Sequence, residues 1–137
     1  MESLLDIGVE EYHIGGGGVL RFHPGDPNLY ARFLKAEEDF RQIETEFAES
    51  GKTGAEILLQ MEQADQKMKA LLNGVFGGEN DFHKALGGVN LLCMGADGRT
   101  LASRLFEALE KILISGAKRF AKQQAEKLRG EKARGSQ

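Results

Sequence analysis

From Leu29 onward the chain places apolar residues at alternating steps of four and three: Leu29, Phe33, Ala36, Phe40, Ile43 and Phe47. Steps of that size return to one side of a helix with 3.6 residues per turn, so these side chains form a single stripe. Glu37, Glu38, Asp39, Arg41, Glu44 and Glu46 fill the other faces and read as solvated. After a break at Gly51 comes a second stripe: Ile57, Met61, Ala64, Met68, Leu71, Leu72 and Val75, stopping before Gly77 and Gly78. Two amphipathic helices joined by a short linker are expected to bury their stripes against each other as an antiparallel hairpin.

Local signals bound these helices. Asp26 followed by Pro27 matches an N-cap residue and a proline at the first helical position, which predicts a helix over about 27–50. Thr53-Gly54-Ala55-Glu56 has the form of a capping box and predicts a second helix over 53–76. Residues 77–100 hold six glycines around an apolar run, with no sustained period, so turns and a short helical piece are expected. Asp97-Gly98 marks a turn, and Asp97 or Thr100 can cap a third helix over 100–128 carrying Leu101, Leu105, Ala108, Leu109, Ile112, Leu113, Phe120 and Ala121. Gly116 weakens that helix by about 1 kcal/mol relative to alanine, which predicts a kink or partial break there. Residues 129–137, RGEKARGSQ, read as a disordered basic tail.

Ahead of the helices, Glu11–Ile14 and Val19–Phe22 are β-compatible runs on either side of Gly15–Gly18, predicting a hairpin over 10–23. A lone two-stranded hairpin is marginal in water, so Tyr12, Ile14, Leu20 and Phe22 should pack on the helices. The expected fold is mainly α: an N-terminal β-hairpin packed on a three-helix or four-helix antiparallel bundle, forming a single domain over 1–128. A chain of 137 residues with 41% hydrophobic content supports one such core, burying roughly two-thirds of its unfolded surface.

Composition narrows the chemistry. The single cysteine, Cys93, excludes an internal disulfide and a cysteine-based zinc site, and the apolar stretch Val89–Met94 around it predicts a buried thiol in a reducing compartment. The N-terminus MESLLDIGVEEY lacks a basic n-region and an apolar h-region, and no run of 18 apolar residues occurs, so a soluble protein of the cytoplasm with no membrane partner is expected. The net charge of −3 conceals an asymmetry: residues 118–137 carry +5 and the rest −8. Such a block suits a solvated or protein-facing tail better than a nucleic-acid arm, although Lys118 to Arg134 keep the second reading open.

Catalytic and cofactor motifs fail on spacing. Counting Gly-x-Gly-x-x-Gly from Gly15 or Gly16 ends on Leu20 or Arg21, and the next element is a strand instead of a helix whose N-terminus would hold pyrophosphate. SGKT at 50–53 imitates the end of a phosphate-binding P-loop, but the position of the required first glycine is Glu46, and helix precedes it where a strand is needed. His13, His23 and His83 lack the spacing of paired metal ligands. No carboxylate pair is singled out for acid–base work, and Cys93 has no partner recognisable by spacing. The expectation is a non-enzyme without cofactor, metal or small-molecule substrate.

Methionine repacks easily and aromatic side chains anchor interfaces, so Phe33, Phe40, Phe47, Met61, Met68 and Phe76 are the candidate protein-binding residues. Most of the stripes should be core, with one edge left open to a partner or a second copy.

The order of features, with RFHPGDPNLYARF opening a charged helix and VFGGENDFHKALGGVN closing the second, resembles the small tail assembly chaperones and related tail-module proteins of long-tailed bacteriophages and prophages. The resemblance covers about residues 10–121, and its most specific parts are F-x-P-G-D-P-N-L and V-F-G…GG-V-N. It implies a non-catalytic role in the host cytoplasm: binding the tape-measure protein or tail-tube subunits and keeping them soluble until the tube polymerises. The alternatives are a virion structural or connector protein that forms an oligomer in the tail or neck, and a nucleic-acid-binding protein using the basic C-terminus. The basic tail has no counterpart in the family pattern.

Overall fold

A computed structural model describes residues 4–15 and 17–135. The elements run β1 (Glu10–Ile14), β2 (Gly18–Phe22), α1 (Pro27–Ala48), α2 (Ala55–Phe76), α3 (Phe82–Ala85) and α4 (Leu101–Gly135). The strands pair antiparallel, with Tyr12 opposite Leu20 and Glu10 opposite Phe22. Helix α1 packs against both α2 and α4, while α3 bridges α2 and β2. The architecture is therefore the expected hairpin on an antiparallel helical bundle, with the short helix inside the glycine-rich segment.

The start of α1 obeys its sequence signal, since Asp26 Oδ1 accepts the Asn28 amide at 2.9 Å and Pro27 is the first helical residue. The start of α2 does not. Gly54, at φ +65°, takes the N-cap place and no side chain caps the first turn. Thr53 stands one residue too early for the capping box, because the left-handed turns at Gly51 and Gly54 delay the helix to Ala55. At α4, Thr100 Oγ1 accepts the Ser103 amide, while the carbonyls of Cys93 and Leu91 accept those of Leu101 and Ala102 at 2.9 and 2.7 Å. The orphan donors of that helix end are thus met by the preceding loop.

A chain of aromatic contacts ties the layers together. Tyr12 stacks on Phe22 at 4.5 Å between centroids, Phe22 meets Phe76 edge-on at 4.8 Å, and Phe76 approaches Phe33 at 6.4 Å. Phe33 then stacks on Phe106 at 4.5 Å, which links α1 to α4. Leu20 and Phe22 are buried in this core, and Tyr12 and Ile14 pack against it, as the marginal stability of a free hairpin requires. Asn80 closes the outer edge of β2: its side-chain amide accepts from Arg21 N at 2.8 Å and donates to Arg21 O at 2.7 Å, pairing with the backbone as a strand would.

Two glycines serve close approach. A Cβ on Gly18 would lie 1.6 Å from the Ala85 carbonyl oxygen, and one on Gly116 would lie 2.0 Å from that of Pro24. The partial break expected at Gly116 is absent. Helix α4 runs through it unbroken and continues past residue 128 to Gly135, so residues 129–135 are helical where the composition predicts a disordered tail. Ser136 and Gln137, the end of that tail, lie outside the described residues.

Candidate functional site

The inner face of α2 carries the buried charged residues of the described chain, Asp65 and Lys69, at 5% and 3% exposure. They are four apart and so lie one above the other on the helix. Lys69 Nζ donates to Asp65 Oδ2 at 2.8 Å, to His83 Nδ1 at 2.9 Å and to the Val89 carbonyl at 2.7 Å. These bonds use all three ammonium protons, which requires His83 to present an unprotonated Nδ1. The second Asp65 oxygen accepts the Leu91 amide at 2.8 Å. The cluster therefore pins α3 and the loop over 86–91 to α2. With every donor engaged and almost no exposure, Lys69 serves to hold these segments together. Its sequence signal is faint: an acid and a base four apart, each one place beyond the stripe residues Ala64 and Met68.

The candidate protein-binding residues divide in two. Phe33, Phe40, Met68 and Phe76 are core, at 1%, 2%, 0% and 6% exposure, and offer no surface to a partner in this state. Phe47 and Met61 are only partly buried and lie where α1 ends and α2 begins. Beside them, on the first turns of α2, Leu58 and Leu59 are 66% and 62% exposed, and Gln60 Oε1 is enclosed without a hydrogen-bond partner among the described residues. Leu4, Leu5, Ile7 and Val9 are also exposed, in the segment leading into β1.

A second surface feature lies between α1 and the first half of α4. Half-buried Phe106, 4.8 Å from the buried Phe40 ring, forms the floor of an open groove of about 260 Å³. Glu37 pairs with Arg41 on one rim, and Glu107 bonds Arg99 and Lys111 on the other. Glu44 and Glu110 also line the groove and form no ion pair among the described residues. Burial pushes the Glu44 carboxyl above its ordinary range, and Arg41 only partly offsets this. Hydrogen bonding from Arg99, then from Lys111, holds Glu107 below that range, and the Arg99 amide does the same for Asp97. On the hairpin, burial and then the hydrogen bond to Glu10 push the Tyr12 phenol up to about 12.

The remaining sequence candidates are dispersed. His13 lies 3.4 Å from Glu11, His23 Nδ1 accepts the Gly25 amide at 3.1 Å, and His83 holds Lys69. Among the described residues no three His, Cys, Asp or Glu side chains converge on one point. Cys93 is exposed, contrary to the buried thiol expected from its apolar neighbours. Leu91 and Leu92 turn into the core, and the chain then swings outward at Cys93 and Met94. No helix among the described residues is long and apolar enough to cross a membrane. Compared with family models, characterised proteins and solved structures, the chain finds no match.

Proposed function

We propose that this chain is a non-catalytic assembly factor of the tail-assembly-chaperone kind, which shields an apolar helical segment of a phage tape-measure or tail-tube protein before the tail polymerises. The observation that carries the protein-binding part is the open end of the α1–α2 pair. There Leu58 and Leu59 are exposed on the first turns of α2, at the end of the helix pair where Phe47 and Met61 are only half buried. Scattered surface leucines need no explanation, but two in succession at the end of a helix pair whose stripes are there only half covered suit an apolar helical segment laid against that end. The phage part rests on the FHPGDPNL and VFGG…GGVN resemblance.

Co-expression with a phage tape-measure or tail-tube protein tests the reading. The expected result is co-purification or increased solubility of one partner, lost on Leu58→Glu with Leu59→Glu. Surface changes of that kind leave folding within about 0.5 kcal/mol. If neither partner co-purifies nor gains solubility, the reading fails. The exposed second half of α4 favours one alternative, a structural component retained in the particle as an oligomer. Protein identification in purified virions separates the two, because a chaperone is scarce there.

A further inference from the structure

Helix α4 leaves the bundle half-way along its length. Its first half buries Ala102, Leu109 and Leu113, whereas every residue from Ala121 to Arg129 is exposed. Isolated helices shorter than about 12–15 residues are marginal in water, and Gly130 weakens this one further. The arm nevertheless has order in its sequence. Ala121, Ala125 and Leu128 recur at steps of four and three, with Leu128 62% exposed, and Lys118, Lys122 and Arg129 run along one side of that stripe.

The groove between α1 and α4 has the complementary pattern. Its floor is half-buried Phe106 backed by Phe40, and its rims hold Glu44 and Glu110, which form no ion pair among the described residues. Burial disfavours the charged form of Glu44, so the groove holds a carboxylate that a nearby cation would stabilise. The arm cannot fold back to supply that cation. It is continuous with α4, and the 1.5 Å rise per residue places Leu128 roughly 27 Å along the helix from Glu110. A cation from the arm must therefore reach the groove of another molecule.

We propose that the α4 arm of one copy lies in the α1–α4 groove of a second copy, with Leu128 over Phe106 and with Lys122 and Arg129 facing Glu44 and Glu110. The groove is lined by Glu37, Glu44, Glu107 and Glu110 against Arg41 and Arg99, whereas residues 118–129 carry five Lys/Arg against Glu126, so an exchange of arms between two antiparallel α4 helices sets opposite net charges face to face. That exchange is reciprocal, which makes the assembly a closed two-fold dimer. The +5 of residues 118–137 against −8 for the rest of the chain gives the association its long-range attraction.

Sedimentation velocity of the full-length chain tests this. A dimer is expected at low salt, with its dissociation constant weakened about tenfold at ~0.5 M NaCl, where the screening length falls to a few Å. Lys122→Glu with Arg129→Glu should give a monomer, as should Glu44→Lys with Glu110→Lys. Mixing these two variants should restore a dimer, because each reversed arm then meets a reversed groove. All the substituted side chains are exposed or half-buried, and far-UV circular dichroism checks that the helices persist. A wild-type monomer at low salt, a dimer that survives either reversal, or a mixture that stays monomeric overturns the proposal. None of these outcomes touches the chaperone reading, which rests on Leu58 and Leu59.

Discussion

Gly116 faces the Pro24 carbonyl so closely that a Cβ at that position would lie 2.0 Å from the oxygen and 3.0 Å from Gly25 N. The contact locks α4 onto the turn between β2 and α1. In an open helix interior, alanine would improve on glycine by about 1 kcal/mol. Here the clash is with backbone, which cannot rotate away, so Gly116→Ala should destabilise by about 1–3 kcal/mol, the usual cost of overpacking. Gly74, in α2 with nothing within 4 Å of its Cβ position, is the control. Gly74→Ala should stabilise by up to ~1 kcal/mol. Urea denaturation of both variants checks the opposite signs.

Asp65 and Lys69 should behave as a unit. Removing one partner of a buried pair leaves an uncompensated charge, so Asp65→Ala should cost about 3–5 kcal/mol, including the Leu91 amide left without its acceptor. The expected result for Asp65→Leu with Lys69→Met is a loss well below the sum of the single changes, because no lone charge remains buried. A double-mutant cycle on urea midpoints measures the difference. Additive losses would show that the two residues stabilise the loop separately.

The features legible in the sequence are those that carry a period or a fixed local grammar. The stripes of α1 and α2, the Asp26-Pro27 start and the inward set Tyr12, Leu20 and Phe22 come from steps of three, four and two. Asp65 and Lys69 escape because charged residues beside a stripe look solvated until a neighbouring segment covers them, and the covering loop has no period of its own. Gly18 and Gly116 escape for another reason. A glycine needed for space is indistinguishable in sequence from one needed for a turn or one that merely weakens a helix. Phe33, Phe40, Met68 and Phe76 share one pattern with Phe47 and Met61, and only packing separates the core members from those at the open end.

Acid should act with opposite signs on Glu44 of α1 and on Asp97 and Glu107 around the start of α4. Asp97 and Glu107 are held below their ordinary values in the folded chain, so their contribution to stability is present above the unfolded carboxylate range and is lost as pH falls through the folded values. Glu44 is raised, so its contribution is present below its unfolded value near 4.5 and is lost as pH rises through the folded one. Glu44→Gln should therefore stabilise the dilute monomer slightly at pH 7 and not at about pH 3. Glu107→Gln should destabilise it at pH 7, with the difference vanishing in acid. Urea midpoints at the two pH values, taken at protein concentrations where the chain is monomeric, give both comparisons.

Asn80 holds the hairpin by imitating a strand. Its amide bonds both backbone groups of Arg21, 59 residues away in sequence, and also donates to the Gly77 carbonyl at 3.0 Å within its own turn. Asn80→Ala removes all three bonds and should cost about 1–3 kcal/mol. The first consequence should be local, because a two-stranded hairpin has little stability of its own. The Arg21 amide, whose acceptor is Asn80 Oδ1, should lose hydrogen-exchange protection well before the amides of α2. Asn80→Asp is the sharper variant. It retains an acceptor for Arg21 N but turns a carboxylate oxygen toward Arg21 O, so it should protect the hairpin no better than alanine. Full rescue by aspartate would mean that a single accepted bond, and not the paired geometry, fastens β2 to the bundle.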